Sequence, residues 1–308
     1  MHAGVGRQRE RAKYAVACAL VSRRTSLLAP RHDAPPLVCI AKLSPQNYNH
    51  PRDSIGFLGP SRSIACFRPG SPNPIIFHVR ESFVRVDHPQ AELEIIVSVP
   101  FDENTLIARL ADRHDCLVVD PGLEPEKILD FLEPRQLEPA AILNTHGHSD
   151  HIAGNAALKE RWPDAPLVIG HGDEEKLTDP RKNLSAAFGL SLVSPPADQL
   201  LREGEPFAAA GFELTVREIP GHSAGHIVLI WEAHPPAVVF GGDVLFAGSI
   251  GRTDFPDGSL EALTSGIHTK LFTLPDDTLV LPGHGPVTTI GREKATNPFV
   301  GAPAGYEL

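Results

Sequence analysis

The chain has 308 residues, of which 42% are hydrophobic and 21% are charged, so it is long enough to bury a large core and lies within the range of globular proteins. Its net charge of −10 is unevenly distributed, because residues 1–80 carry 12 Lys and Arg against 3 Asp and Glu, whereas the rest carries 16 against 35. A body this acidic argues against nucleic acid as a partner, and the sequence has no run of the roughly 20 apolar residues that a bilayer span needs, which argues against a membrane.

The first ninety residues differ in composition from the rest. They are rich in Arg, Ser and Pro and show no sustained helical or strand period. We expect residues 1–90 to be a basic extension that is disordered or arises from a start assigned too far upstream, and residues 91–308 to form the folded domain. The four cysteines show no Cys-x-x-Cys spacing, which favours a reducing compartment such as the cytoplasm. A targeting role for residues 1–40 is the alternative, because an apolar stretch at residues 14–22 follows a basic start.

From residue 92 onward the hydrophobic pattern indicates regular secondary structure. Strands are predicted at residues 93–99, 105–110, 116–120, 140–144, 166–170, 227–231, 237–240 and 278–281, with a hairpin at 207–219. Helices are predicted at residues 124–132, 152–161, 260–271 and 289–295, and a loop at 178–196. Strands come first as a meander and then alternate with helices, which predicts a layered α/β domain.

One run is dense in metal-binding side chains. Residues 145–151 read Thr-His-Gly-His-Ser-Asp-His and follow a predicted buried strand. Residues two apart on an extended loop point the same way, so His146 and His148 can bind one metal together. Asp150 and His151 lie where the next helix begins and can face a second metal. Imidazole and carboxylate are ligands that zinc takes, so we favour a metal site over a polar loop with surface histidines.

Three further candidates each follow a predicted strand. They are His222 in Pro-Gly-His-Ser-Ala-Gly-His, Asp243 in Phe-Gly-Gly-Asp and His284 in Leu-Pro-Gly-His-Gly-Pro. Each alone is more typical of a surface or capping residue, but with the first run they complete a set of five histidines and two aspartates. His226 is expected to support the site rather than to bind metal. Asp120 ends another strand, where it either orients a ligand or forms the turn.

The order His-x-His-x-Asp-His, followed by His, Asp and His, resembles the metallo-β-lactamase superfamily over residues 92–299. The resemblance implies a four-layer αββα sandwich with the metal site at the edge of its two sheets. It also implies a first metal held by His146, His148 and His222, a second held by Asp150, His151 and His284, and a bridge between them formed by Asp243. Asp120 would orient a ligand histidine.

Three more segments resemble the short bacterial glyoxalase II branch, whose members are hydroxyacylglutathione hydrolase-like. They are Gly248-Ser-Ile-Gly-Arg-Thr-Asp-Phe-Pro256, Pro282-Gly-His-Gly-Pro286 and Gly291-Arg-Glu-Lys-Ala-Thr-Asn-Pro-Phe299. The resemblance implies a hydrolase of S-lactoylglutathione or a related small acyl thioester, with two divalent metals, Zn²⁺ first and iron or manganese as alternatives. The metals would activate a water toward the thioester carbonyl, and Asp150 would orient this water or accept its proton. Arg252 and Asp254 are expected to pair and to brace the loop that carries Asp243.

Other functions stay open. A mononuclear iron persulfide dioxygenase of the same fold, acting on glutathione persulfide, would share Gly251-Arg-Thr-Asp-Phe255 and bind iron through His146, His222 and Asp243. The continuation Pro-Asp-Gly at residues 256–258 favours the hydrolase. A non-enzymatic binding domain would not explain why all seven ligand positions are filled. Longer glyoxalase II enzymes carry a C-terminal helical domain for glutathione, which we expect to be absent here, so the true thioester stays open.

Overall fold

The computed structural model describes residues 83–307 throughout and, before them, three separate strands. These are β1 (Val38–Ala41), β2 (Arg62–Phe67) and β3 (Ile75–Val79). The chain divides into two compact units, Met1–Glu81 and Ser82–Leu308. In the first unit the three strands pair antiparallel in the order β1-β2-β3, which was not predicted. The remaining residues of this unit lie outside the described residues, so the predicted disorder of the extension stays a prediction.

The second unit is built on two large β-sheets. Its strands are β4 (Phe83–Asp87), β5 (Ala91–Ser98), β6 (Glu103–Leu110), β7 (Asp115–Val119), β8 (Glu138–Asn144), β9 (Leu167–Gly170), β10 (Gln199–Leu201), β11 (Pro206–Ala209), β12 (Phe212–Glu218), β13 (Ile227–Trp231), β14 (Val238–Gly242), β15 (Leu245–Phe246), β16 (Ser249–Ile250), β17 (Leu279–Pro282) and β18 (Thr288–Thr289). One sheet has the order β10-β9-β8-β7-β6-β5-β4 and the other β11-β12-β13-β14-β17-β18, while β15 and β16 form a small ribbon. Both large sheets are mixed, because β7 to β10 run parallel in the first and β14 runs parallel to β17 in the second.

Helices cover the outer face of each sheet. The α-helices are α1 (Pro125–Leu132), α2 (Ser149–Ile152), α3 (Asn155–Arg161), α4 (Leu260–Gly266) and α5 (Ile290–Thr296). Segments of 3₁₀-helix occur at Glu133–Arg135, His171–Leu177, Ser185–Phe188 and Ala302–Ala304, and α4 continues as a π-turn at Ile267–Leu271. Among the described residues, no helix is both long and apolar enough to cross a membrane.

Three hydrophobic clusters define the layers. The first lies between the sheets and joins residues such as Leu106 and Val119 to Trp231 and Phe240. The second packs the opposite face of the seven-stranded sheet against α1 and α3, and the third packs the six-stranded sheet against α4 and α5. Successive strand residues point to opposite faces, so each sheet buries both of its faces. The resulting order of helix, sheet, sheet and helix confirms the predicted αββα sandwich.

The sheet begins earlier than the boundary that was predicted at residue 91. Strand β4 pairs antiparallel with β5, with Phe83 opposite Ile96 and Asp87 opposite Glu92. Phe83 packs edge-on against Phe131 of α1, with ring centroids 5.4 Å apart. The residues from Phe83 to Asp87 therefore belong to the sandwich rather than to the extension.

A cut placed before β4 should separate the extension from the metal site. All candidate ligands lie in the second unit, so a chain lacking residues 1–81 should bind as many metal ions as the full chain, as measured by elemental analysis. A matched deletion of residues 1–90 also removes β4, and it should lower the melting temperature because β5 loses one of its two neighbouring strands. Loss of metal after the shorter deletion would contradict this prediction.

Candidate metal centre

The candidate ligands lie on loops that meet at one edge of the two sheets. Residues 145–151 follow β8, Asp243 follows β14 and His284 follows β17, while His222 lies between β12 and β13. Backbone hydrogen bonds tie these loops together. They run from Ile227 N to Thr145 O (2.9 Å), from Asn104 N to Gly283 O (2.8 Å) and from Gly283 N to Gly242 O (2.8 Å). The strand ends thus hold all seven predicted ligand residues in one place.

Three histidines converge on the first position. Nδ1 of His148 lies 3.1 Å from Nε2 of His146 and 2.9 Å from Nε2 of His222. All three rings are buried, and burial lowers the pKa of each histidine, which keeps the imidazoles neutral. Nitrogen atoms about 2.1 Å from a tetrahedral zinc ion would lie about 3.4 Å from one another. The three nitrogens lie within 4.8 Å of one another, which is close enough for all of them to bind a single ion.

Asp150, His151 and His284 converge on the second position. Nε2 of His151 lies 3.3 Å from Nε2 of His284, and Oδ2 of Asp150 lies 3.4 Å from the latter atom. Burial opposes charge on His151, but the carboxylates of Asp150, Asp243 and Asp120 raise its pKa well above the usual range. Burial likewise opposes ionisation of Asp150, yet His151 and His284 lower its pKa. The group therefore keeps an ionised carboxylate ready for a cation.

Asp243 lies between the two triads. Its Oδ2 is 3.4 Å from Nε2 of His222 and 3.6 Å from Nε2 of His284, and its Oδ1 is 3.6 Å from Nε2 of His151. Oδ1 is buried and finds no hydrogen-bond partner in the part of the chain that the structure describes. A buried carboxylate oxygen without a partner costs free energy, which a cation between the triads would offset. The donor set of five imidazoles and two carboxylates fits two divalent metal ions.

Hydrogen bonds to the far ring nitrogens select which nitrogen faces the centre. Each donor is an Nδ1–H group: that of His222 bonds Arg252 O (2.9 Å), that of His284 bonds Phe101 O (3.1 Å) and that of His151 bonds Asp120 Oδ2 (3.1 Å). Carbonyl and carboxylate oxygens can only accept, so the proton resides on Nδ1. Nε2 of each of these three rings therefore faces the centre, which is the arrangement that metal-binding histidines need.

Asp120 lies at the end of β7, and its carboxylate contacts the ring of the candidate ligand His151. Its φ of 51° makes a turn at the end of β7. Its carboxylate accepts hydrogen bonds from Thr145 N and Thr145 Oγ1, both at 2.7 Å, besides the bond from His151. Asp120 also comes within ligand distance of His146 and His151. We assign it the orienting role, because these three bonds already occupy its oxygens.

His226 supports Asp243 rather than facing the centre. Its Nε2 accepts a hydrogen bond from the backbone N–H of Asp243 at 3.0 Å, and its ring stacks on His146 with centroids 4.7 Å apart. Burial lowers the pKa of His226, so that its ring stays neutral and able to accept. Arg252 and Asp254 form a bidentate ion pair with nitrogen–oxygen distances of 3.0 and 2.9 Å, exposed on the loop that follows β16.

Two supporting groups were not singled out from the sequence. Thr145 connects Asp120 to the histidine run, and its place within that run was a usable signal. The carbonyl of Phe101 orients His284, but a backbone carbonyl leaves no mark in the sequence.

Comparison with known proteins gives a consistent picture. The sequence profile of the metallo-beta-lactamase superfamily matches residues 100–284. The chain is 38% identical over 211 residues to hydroxyacylglutathione hydrolase GloC of Haemophilus influenzae, which covers 68% of this chain and 97% of that protein.

Solved structures with the same architecture include three of interest for function. BLEG-1, described as a B3 metallo-beta-lactamase, has a TM-score of 0.64 at 35% identity and covers 71% of this chain and 99% of its own. TTHA1623 in a di-iron-bound form has a TM-score of 0.57 at 38% identity, covering 67% and 98%. ETHE1 from Myxococcus xanthus has a TM-score of 0.57 at 27% identity, covering 68% and 84%.

Proposed function

The chain belongs to the metallo-β-lactamase superfamily, and we propose that within it the chain is a two-metal thioester hydrolase acting on S-lactoylglutathione or a related small acyl thioester. The observation that carries this proposal is the pair of donor triads with Asp243 between them. The 38% identity to GloC, along almost the whole length of that protein, supports the thioester as the substrate class.

The two positions would hold the metals through the residues already described. The ligands are His146, His148 and His222 at one position, Asp150, His151 and His284 at the other, and Asp243 between them. Two divalent ions, Zn²⁺ first and iron or manganese as alternatives, supply Lewis acidity there and lower the pKa of a water molecule toward neutrality.

Asp150 is the residue that we propose to orient the attacking water. Its side chain is 19% exposed, against 9% for Asp243, so it is the more accessible carboxylate of the centre. The neighbouring histidines hold the pKa of Asp150 well below its usual range, so its carboxylate is ionised and can accept a hydrogen bond that orients an attacking water. A thiolate leaves without needing a strong acid, so a thioester suits a centre whose first-position histidines are held neutral.

Phe255 packs against two histidines of the first position. Its ring lies edge-on against His148 and His222, with centroid distances of 5.1 and 5.4 Å. An apolar ring beside the nitrogens lowers the local dielectric constant and strengthens the electrostatic interactions of the centre.

A persulfide dioxygenase is the second candidate, favoured by the similarity to ETHE1 at 27% identity and by the run at residues 251–255. It would use His146, His222 and Asp243 for a single iron. In that case His148 would bind no metal, although its Nδ1 lies 2.9 Å from Nε2 of His222. This contact favours the hydrolase.

Metal content and turnover distinguish the two candidates. The full chain should bind two metal ions and hydrolyse S-lactoylglutathione, followed by loss of thioester absorbance, beside a panel of acyl-coenzyme A and simple thioesters. A chelator should abolish this activity, and added Zn²⁺ should restore it. One iron per chain, with oxygen uptake on glutathione persulfide and no thioester cleavage, would overturn the proposal.

A further inference from the structure

Asp173 is a fully buried carboxylate that none of the sequence motifs includes. It lies on the 3₁₀-turn His171–Leu177, directly after β9. Its Oδ2 accepts a hydrogen bond from Gly147 N at 2.8 Å and another from the hydroxyl of Ser223, and its Oδ1 accepts one from Gly225 N at 2.8 Å. One side chain therefore satisfies donors from two separate loops.

These two loops carry the three histidines of the first position. Gly147 stands between His146 and His148, and Ser223 directly follows His222. A rotation of either loop would move the ligand nitrogens, which now lie 2.9 to 3.1 Å apart. The carboxylate of Asp173 thus holds these two loops together beside the histidines, so it helps to set the distances between the three ligand nitrogens.

Lys176 supplies the counter-charge for this carboxylate. Its ammonium group is buried, lies 3.4 Å from Oδ1 of Asp173 and donates to the hydroxyl of Ser223. It also lies 2.6 Å from Oδ2 of Asp257, an oxygen that accepts from Ala224 N at 3.1 Å. Buried ion pairs gain little stability over apolar residues because desolvation is costly, so positioning is a better account of this network than stability.

The second position is built differently. His151 is oriented by Asp120 and His284 by the carbonyl of Phe101, and neither group contacts Asp173 or Lys176. We infer that Asp173 and Lys176 are positioning residues that set the metal affinity of the three-histidine position without setting that of the other position. This inference rests on the ligands proposed above but not on the thioester substrate.

The test is the variant Asp173→Asn. An amide replaces one acceptor oxygen by an NH₂ group, so the N–H of Gly147 or of Gly225 loses its partner, and Lys176 loses its counter-charge. The full chain is loaded with cobalt(II) and challenged with a chelator, and the absorption spectrum follows the release of each ion. The affinity of the three-histidine position should fall about 10- to 100-fold, as is typical when a partner of a metal ligand is lost. The other position should keep its affinity, and Asp150→Ala identifies which spectral phase belongs to it.

Two further variants keep the test decisive. Asp198→Asn is the matched control, because Oδ2 of Asp198 also accepts from a backbone N–H (Leu167, 2.8 Å) and from a lysine (Lys159, 2.8 Å), but at the opposite end of β9. It should leave both affinities unchanged. Ser223→Ala removes the hydroxyl, with its hydrogen bonds to Asp173 and from Lys176, but keeps the charge of both residues, so it should weaken the same position to a smaller extent even if Asp173→Asn does not fold.

Equal loss of both metals, or no loss in either Asp173→Asn or Ser223→Ala, would overturn the positioning role. The two proposals can fail separately. If these variants lose only the metal of the three-histidine position, the positioning role is supported. If the wild-type chain cleaves no thioester, the proposed substrate is wrong.

Discussion

Replacing Asp243 with alanine should deplete both metal positions and lower thioester hydrolysis by at least about 100-fold, because even residues one step removed from a metal often cost about 10- to 100-fold. Asp243 is the one candidate ligand, among the described residues, whose two oxygens approach donors of both triads. Without Asp243, the two metal positions would lose the negative charge that both cations share, and each would lose one ligand oxygen. Metal content per chain and the steady-state rate measure this effect.

A surface carboxylate provides the comparison. Asp115 pairs with Arg113 at 2.7 Å on the outside of the sandwich, and exposed ion pairs contribute only about 0–1 kcal/mol. Asp115→Ala should therefore keep both metals and the wild-type rate. If Asp243→Ala retained two metals and full activity, Asp243 would not bridge them.

The layered fold could be predicted because burial leaves a regular trace in the sequence. Strand β13 is buried on both faces and reads Ile-Val-Leu-Ile-Trp without interruption, so its limits were predicted correctly at residues 227–231. The hairpin predicted at residues 207–219 is formed by β11 and β12, and it turns at Ala210-Gly211, where both residues have a positive φ. The sequence therefore indicates where a long buried element begins and ends when turn residues flank it.

Short strands that are recognised only by their hydrogen bonds to a neighbouring strand were not predicted. Strands β10, β15, β16 and β18 have only two or three residues, too few to show a period. The helix predicted at residues 152–161 begins three residues later, because α2 ends at Ile152 and Gly154 N donates to Pro121 O at 2.8 Å before α3 starts at Asn155. Such features depend on distant parts of the chain.

The seven candidate ligands could be predicted from the sequence, whereas the residues that position them could be predicted only in part. Each ligand follows a strand within a run of Gly, Pro or His, a concentration that few structural roles need. Asp173 also follows a buried strand, within His-Gly-Asp, and that position offered the same signal as Asp120 and Asp243. It was overlooked because a single carboxylate does not show which loops it will join.

Gly283 and Gly285 flank His284, and alanine at the first of them should disable the centre. A methyl group on Gly283 would lie 2.4 Å from Oδ1 of Asp243 and 2.7 Å from Cε1 of His151, distances that real Cβ atoms do not adopt. One or both ligands must move, and a displacement of about 1 Å near reacting groups can cost about 100-fold in rate. We therefore expect Gly283→Ala to fold, to lose metal and to hydrolyse thioester at least about 100-fold more slowly.

The variant Gly285→Ala is the control, because it shows whether any substitution in this turn causes loss of metal. Its φ is 75°, but a methyl group there would meet nothing within 4 Å, so Gly285→Ala carries only the backbone strain of a left-handed residue, about 1–2 kcal/mol. That variant should melt at a lower temperature and keep its metals. Only Gly283 lies in contact with the ligands Asp243 and His151. If both variants lost metal equally, the cause would be the changed conformation of the turn and not steric crowding of these two ligands.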